Sequence, residues 1–102
     1  MRTLKQIEFI RIQYQEELPA QGDLEERVLY ISREFEVSKH NCLCGCGNMT
    51  VLPFNNIIEG VDHGWTLTEL PDGRVTITPS VGNFYLPCKS HYIITKNIAN
   101  FV

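Results

Sequence analysis

The chain of 102 residues carries nine Lys and Arg against twelve Asp and Glu, a net charge of −3 spread along it without a basic stripe, which speaks against nucleic acid as a main partner. No apolar run approaches the ~20 residues of a membrane span, and the opening "MRTLKQIEFIRIQY" alternates charge with hydrophobe where a signal peptide would be apolar. A single soluble, cytoplasmic domain over residues 1–102 is therefore expected, with no membrane partner and with its oligomeric state left open.

In chain order, "IEFIRIQY" (7–14) has its apolar residues at Ile7, Phe9, Ile10, Ile12 and Tyr14. The change of parity between Phe9 and Ile10 predicts a strand with a bulge, or one with an end buried on both faces. "PAQGDLEE" (19–26) reads as a loop with room for one helical turn, "RVLYI" (27–31) as a strand, and "MTVLP" (49–53) as another. "GWTLTELPDGRVTITP" (64–79) is the clearest hairpin: Trp65 and Leu67 alternate with Thr66 and Thr68, Pro71, Asp72 and Gly73 supply the turn, and Val75 and Ile77 oppose Thr76 and Thr78. "HYIIT" (91–95), a turn at Lys96 and Asn97, and "IANFV" (98–102) form a last pair. These signals predict an all-β, zinc-ribbon-like small domain of short antiparallel strands and hairpins with little helix.

"HNCLCGCGNMT" (40–50) sets Cys42, Cys44 and Cys46 at alternate positions with Gly45 and Gly47 between and after them, and the remaining cysteine is Cys88 in "YLPCKSHY". In a reducing compartment such a cluster points to a metal rather than to disulfides. Alternate residues of a flat strand stand roughly 6.5 to 7 Å apart, whereas thiolates on one tetrahedral zinc lie within about 4 Å of each other. The run must therefore fold sharply, and Gly45 and Gly47 are the residues that permit it. The predicted ligands are Cys42, Cys44, Cys46 and Cys88, with His40 or His91 as a substitute should Cys42 point away. Four ligands close the coordination sphere, so the zinc would be structural. Reduced buried thiols are the plainer alternative, with an iron–sulfur cluster and thiol redox chemistry behind it.

"TPSVGNFYLPCKSHYIIT" (78–95) offers Ser80, Ser90 and His91. Adjacent residues of a strand face opposite ways, so Ser90 and His91 pair only if the chain turns at Cys88. Ser80 closes one predicted strand and His91 opens the next, which makes Ser80 with His91 the better nucleophile and base on spacing. Backbone N–H groups around Gly82 could hold an oxyanion, and Glu34, Asp62 or Asn83 could orient the imidazole. The alternative is that Ser80, Ser90 and His91 are ordinary sheet residues. His40 reads as a group supporting the thiolates or lining the same cleft, His63 as a loop residue, and Trp65 as core.

"VLYIS", "HNCLCGCG", a Trp, "PSVGN" and "PCKSHYIITKN" follow one another in an order that resembles a family of small bacterial and phage proteins. Some of its members are encoded beside bacterial ubiquitin-like conjugation (Bub) genes and are regarded as serine peptidases. The resemblance spans roughly residues 27–102 and marks His40, Cys42, Cys44, Cys46, Trp65, Ser80, Asn83, Cys88, Ser90 and His91. It implies a zinc-binding β-rich domain with a Ser and His centre, acting on a ubiquitin-like protein precursor or its conjugates. The rival expectation is a non-catalytic zinc-ribbon-like module that binds a protein partner, in phage biology.

Overall fold

The computed structural model describes residues 6–43, 45, 47–54, 57–59, 61–62, 64–82 and 91–101. Its strands are β1 (Gln6–Glu8), β2 (Arg11–Tyr14), β3 (Val28–Ser32), β4 (Val37–Asn41), β5 (Met49–Pro53), β6 (Ile57–Ile58), β7 (Val61–Asp62), β8 (Thr66–Glu69), β9 (Val75–Gly82), β10 (His91–Thr95) and β11 (Ile98–Phe101). A five-stranded sheet runs β1-β11-β10-β9-β8 and a four-stranded sheet runs β2-β3-β4-β5, with β6 and β7 forming a small ribbon. There is no helix among the described residues, as the all-β expectation required.

The parity change in "IEFIRIQY" is a change of sheet. β1 pairs antiparallel with β11, while β2, two residues on, pairs parallel with β3. At the corner, Phe9 N–H donates to the Asn97 carbonyl at 2.8 Å and Ile10 N–H to the Arg27 carbonyl at 2.8 Å, one bond toward each sheet. Phe9 turns into the core and Ile10 out to water.

The core lies between the sheets: Leu29, Ile31 and Leu52 from one side meet Val75, Ile77, Val81, Tyr92, Ile94 and Ala99 from the other. Strand β3 is buried along its whole length. Its outer face, Val28 and Tyr30, is covered by Leu18 and Leu24 of the segment after β2. That segment contains a hydrogen-bonded turn, Asp23 N–H to the Ala20 carbonyl, in the place where a helical turn had room to form.

The turns follow their residues. Leu70 and Arg74 close a loop over Pro71, Asp72 and Gly73, with Gly73 at φ 90°, where only glycine is unstrained. Lys96 and Asn97 both have positive φ, the two-residue turn that joins twisted strands best. An exposed Arg33–Glu69 pair at 2.7 Å links the β3–β4 turn to β8; at the surface it is worth at most about 1 kcal/mol.

Candidate active site

Ser80 and His91 come together through β9 and β10. His91 sits opposite Gly82 in the register, and Tyr92 opposite Val81. Ser80 is two residues before Gly82, so it shares a face with His91 and is its diagonal neighbour, roughly 7 to 8 Å away between Cα atoms and within side-chain reach. The two side chains close the gap: His91 Nε2 and Ser80 Oγ are 2.9 Å apart, a partly buried hydrogen bond. With Nε2 unprotonated, the hydroxyl donates and the ring nitrogen accepts, the arrangement a general base needs.

The serine is set by an irregularity. The register passes from Val81↔Tyr92 to Ile77↔Ile94, so Thr78, Pro79 and Ser80 together face the single residue Ile93. The Thr78–Pro79 peptide bond is cis. Beside this bulge the indole N–H of Trp65 donates to the Ser80 carbonyl at 2.7 Å, while the Trp65 main chain is tied to the Pro53 carbonyl at 2.9 Å. Trp65 also packs against the core, as its sequence reading had it. Its anchoring of the serine main chain was not legible, because nothing in spacing joins residue 65 to residue 80. A bulge that re-aims a side chain next to a reacting centre is a common use of the device.

On the opposite face, the rung between Ser80 and His91 is Val81 with Tyr92, and both are buried. The Tyr92 hydroxyl lies 2.6 Å from His40 Nε2, and Phe9 packs edge-on against the His40 ring. Burial pushes the His40 pKa down to about 3, so the ring is neutral at physiological pH. His40 thus belongs to the core and its Nε2 is engaged by Tyr92. The sequence suggests His40 as support for the thiolates or as a lining of the same cleft, and carries no signal for its bond to Tyr92.

Cys42 follows β4 and is fully buried. Its N–H donates to the Asn48 carbonyl at 2.8 Å and its carbonyl accepts from Gly45 N–H at 3.0 Å, two bonds that bring the chain back to Cys42. Gly45 and Gly47 adopt φ of 89° and 84°. The sharp fold that the ligand spacing demands is therefore present around Cys42. Cys44, Cys46 and Cys88 lie outside the described residues, as do Ser90, Asn83 and His63. Glu34 is described, and it lines a surface depression with Tyr14, Gln15, Glu16 and Arg33.

A serine hydroxyl held against a histidine ring nitrogen in an all-β domain is the contact that a nucleophile and base pair would require. Comparison with known families is more specific: the chain matches the model of BubE, the bacterial ubiquitination-like system serine protease, over residues 14–102. The chain belongs to this family. No curated protein and no solved structure matches it. A protease family of this kind takes a protein substrate.

Proposed function

We propose that this chain is a serine peptidase that cleaves after the flexible C-terminal tail of a ubiquitin-like protein, in its precursor or its conjugates. The observation that carries the reading is the 2.9 Å bond between His91 Nε2 and Ser80 Oγ, supported by membership of the BubE family. It favours Ser80 over Ser90 as the nucleophile. His91 takes the hydroxyl proton as Ser80 Oγ attacks the scissile carbonyl, then returns that proton to the departing amine. Water, deprotonated by the same ring, releases the acyl group. Backbone N–H groups around Gly82 are the proposed donors to the oxyanion.

A structural zinc fits this scheme through Cys42, Cys44, Cys46 and Cys88, because the folded loop and the buried Cys42 suit a thiolate ligand set. Bound there, the metal would supply cross-linking of the cysteine loop to the segment before His91 and no step of the reaction. The chain's own residues do the chemistry: Ser80 bonds to carbon, His91 moves the proton, and Trp65 fixes the serine main chain.

The experiment incubates wild type, Ser80→Ala, Ser90→Ala and His91→Ala with a ubiquitin-like protein bearing a C-terminal extension and follows cleavage by mass. Loss of cleavage in Ser80→Ala and His91→Ala, with Ser90→Ala active, is expected. An intact substrate with wild type, together with no fluorophosphonate labelling of Ser80, refutes the peptidase reading in favour of a binding module. Elemental analysis tests the metal: less than about half an equivalent of zinc, with four freely titrating thiols, removes the site.

A further inference from the structure

The geometry points to His40 and Tyr92 as positioning residues: their hydrogen bond through the core fixes the rung that presents Ser80 and His91 on the other face of the sheet. This inference rests on the proposed peptidase reading for its catalytic consequence, although the coupling itself is a structural claim. Three observations support it.

First, the rung is shared. Tyr92 and Val81 are register partners, and each is the immediate chain neighbour of one member of the reacting pair, Tyr92 of His91 and Val81 of Ser80. Side chains alternate across a strand, so a tilt of Tyr92 into the core swings His91 in the opposite direction. A near-attack geometry tolerates little of this, since a displacement of about 1 Å can cost about a hundredfold in rate.

Second, the anchor is rigid and comes from the other sheet. His40 lies on β4 and is fully buried, as is Tyr92. The 2.6 Å bond is the only one the His40 ring makes among the described residues, because Nδ1 has no hydrogen-bond partner there. Both rings are packed from the side, His40 by Phe9 and Tyr92 by Phe101, whose ring centroid is 4.9 Å away. A polar pair in an apolar core is expensive to break, because either partner left alone keeps its desolvation penalty.

Third, β4 runs from His40 directly into Cys42 and the loop that returns to it. The same strand therefore carries the cysteine loop at its end and the contact to the Ser80–His91 rung two residues earlier. An apolar pair would fill this space as well, but it would not fix the distance and direction between the two sheets.

The test uses the full chain and compares wild type with Tyr92→Phe, His40→Gln and Ser80→Ala. Imidazole nitrogen shifts from long-range 1H–15N NMR report the His91 hydrogen bond, and only three histidines need assignment. Ser80→Ala marks where His91 resonates without its serine. In Tyr92→Phe, the His91 Nε2 signal should move at least halfway toward that position. On the extended ubiquitin-like substrate, kcat should fall about tenfold with KM held within about twofold, the signature of misaligned reacting groups rather than lost binding. His40→Gln, whose amide can take the place of Nε2, should restore both readouts to near wild type.

A folded Tyr92→Phe whose His91 signals coincide with those of wild type overturns the inference. So does an equal kcat loss in Tyr92→Phe and His40→Gln at matched stability. Should Tyr92→Phe fail to fold, His40→Phe deletes the same bond from the other side and is read identically. The NMR comparison needs no turnover, so a wild type that cleaves nothing would sink the peptidase reading and leave this coupling to be judged separately.

Discussion

Replacing Trp65 with Phe isolates the contact that holds the serine main chain. The indole N–H donates to the Ser80 carbonyl at 2.7 Å in a partly buried setting. A net hydrogen bond contributes about 0.5 to 1.5 kcal/mol, and a fully buried orphan carbonyl would cost more. The contact is partly rather than fully buried, so the ordinary net range applies. The smaller phenyl ring adds a packing loss of about 1 kcal/mol for a half-buried side chain. The sum is about 2 kcal/mol, which for a domain of this size lowers Tm by roughly 10 °C. Trp65 is the sole tryptophan, so unfolding is followed by far-UV circular dichroism. Activity is followed by the rate of fluorophosphonate labelling of Ser80, which should fall about tenfold, equivalent to about 1.4 kcal/mol of lost alignment. Leu67→Ala is the control, because Leu67 also packs against the core from β8 and its register partner is Ile77, three residues before Ser80. It should cost similar stability and leave labelling unchanged. Equal labelling rates in Trp65→Phe and wild type would refute the assignment of Trp65 as the serine's anchor.

Other expectations concern the frame around the site. Phe9→Ala should lose about 3 to 5 kcal/mol in urea denaturation, because this buried ring stands at the sheet corner and against His40. Gly47→Ala meets no atom within 4 Å of the added methyl, so its cost of about 1 to 2 kcal/mol comes from the φ of 84° alone; elemental analysis should show reduced zinc retention. Stability should decline as pH falls below the ordinary histidine pKa of 6.5 and toward about 3, because the unfolded chain protonates His40 while the native core keeps it neutral. The slope from this group is at most about 1.4 kcal/mol per pH unit, and His40→Gln should remove it in denaturation curves taken between neutral and acid pH.

The readable parts of the fold are those where local chemistry decides. The hairpin over Pro71–Gly73 and the turn at Lys96 and Asn97 were legible because Gly73 and Asn97 suit positive φ, Pro71 and Asp72 suit a turn, and the flanks alternate. Ser80 with His91 was legible because strand ends brought by one connection meet on one face. Strand β4 was not, since Val37–Asn41 reads as polar. Ser38 and His40 nevertheless face the core, while Lys39 and Asn41 hold the carbonyls of Pro19 and Leu24. Hydrophobic patterning has no means of seeing a strand whose buried face is polar. The parity break at Phe9 is visible in the sequence, but a bulge, an end buried on both faces and a change of sheet all leave that same trace. The His40–Tyr92 bond spans 52 positions and depends on the packing of two sheets, which no local signal encodes.

The sheet change at Phe9 and Ile10 also decides which strands end the two sheets. β1 pairs with β11 and β2 with β3, so one short N-terminal segment supplies an end strand to each sheet. The family match begins at Tyr14, after all of β1 and most of β2. A chain trimmed to the matched residues would keep Ser80, His91 and the four cysteines. It would also lose Phe9 from the core and leave β11 and β3 as end strands in place of the shorter β1 and β2, longer templates on which strands of neighbouring molecules add. The trimmed chain is therefore expected to self-associate more than the full one, which sedimentation of the two would show.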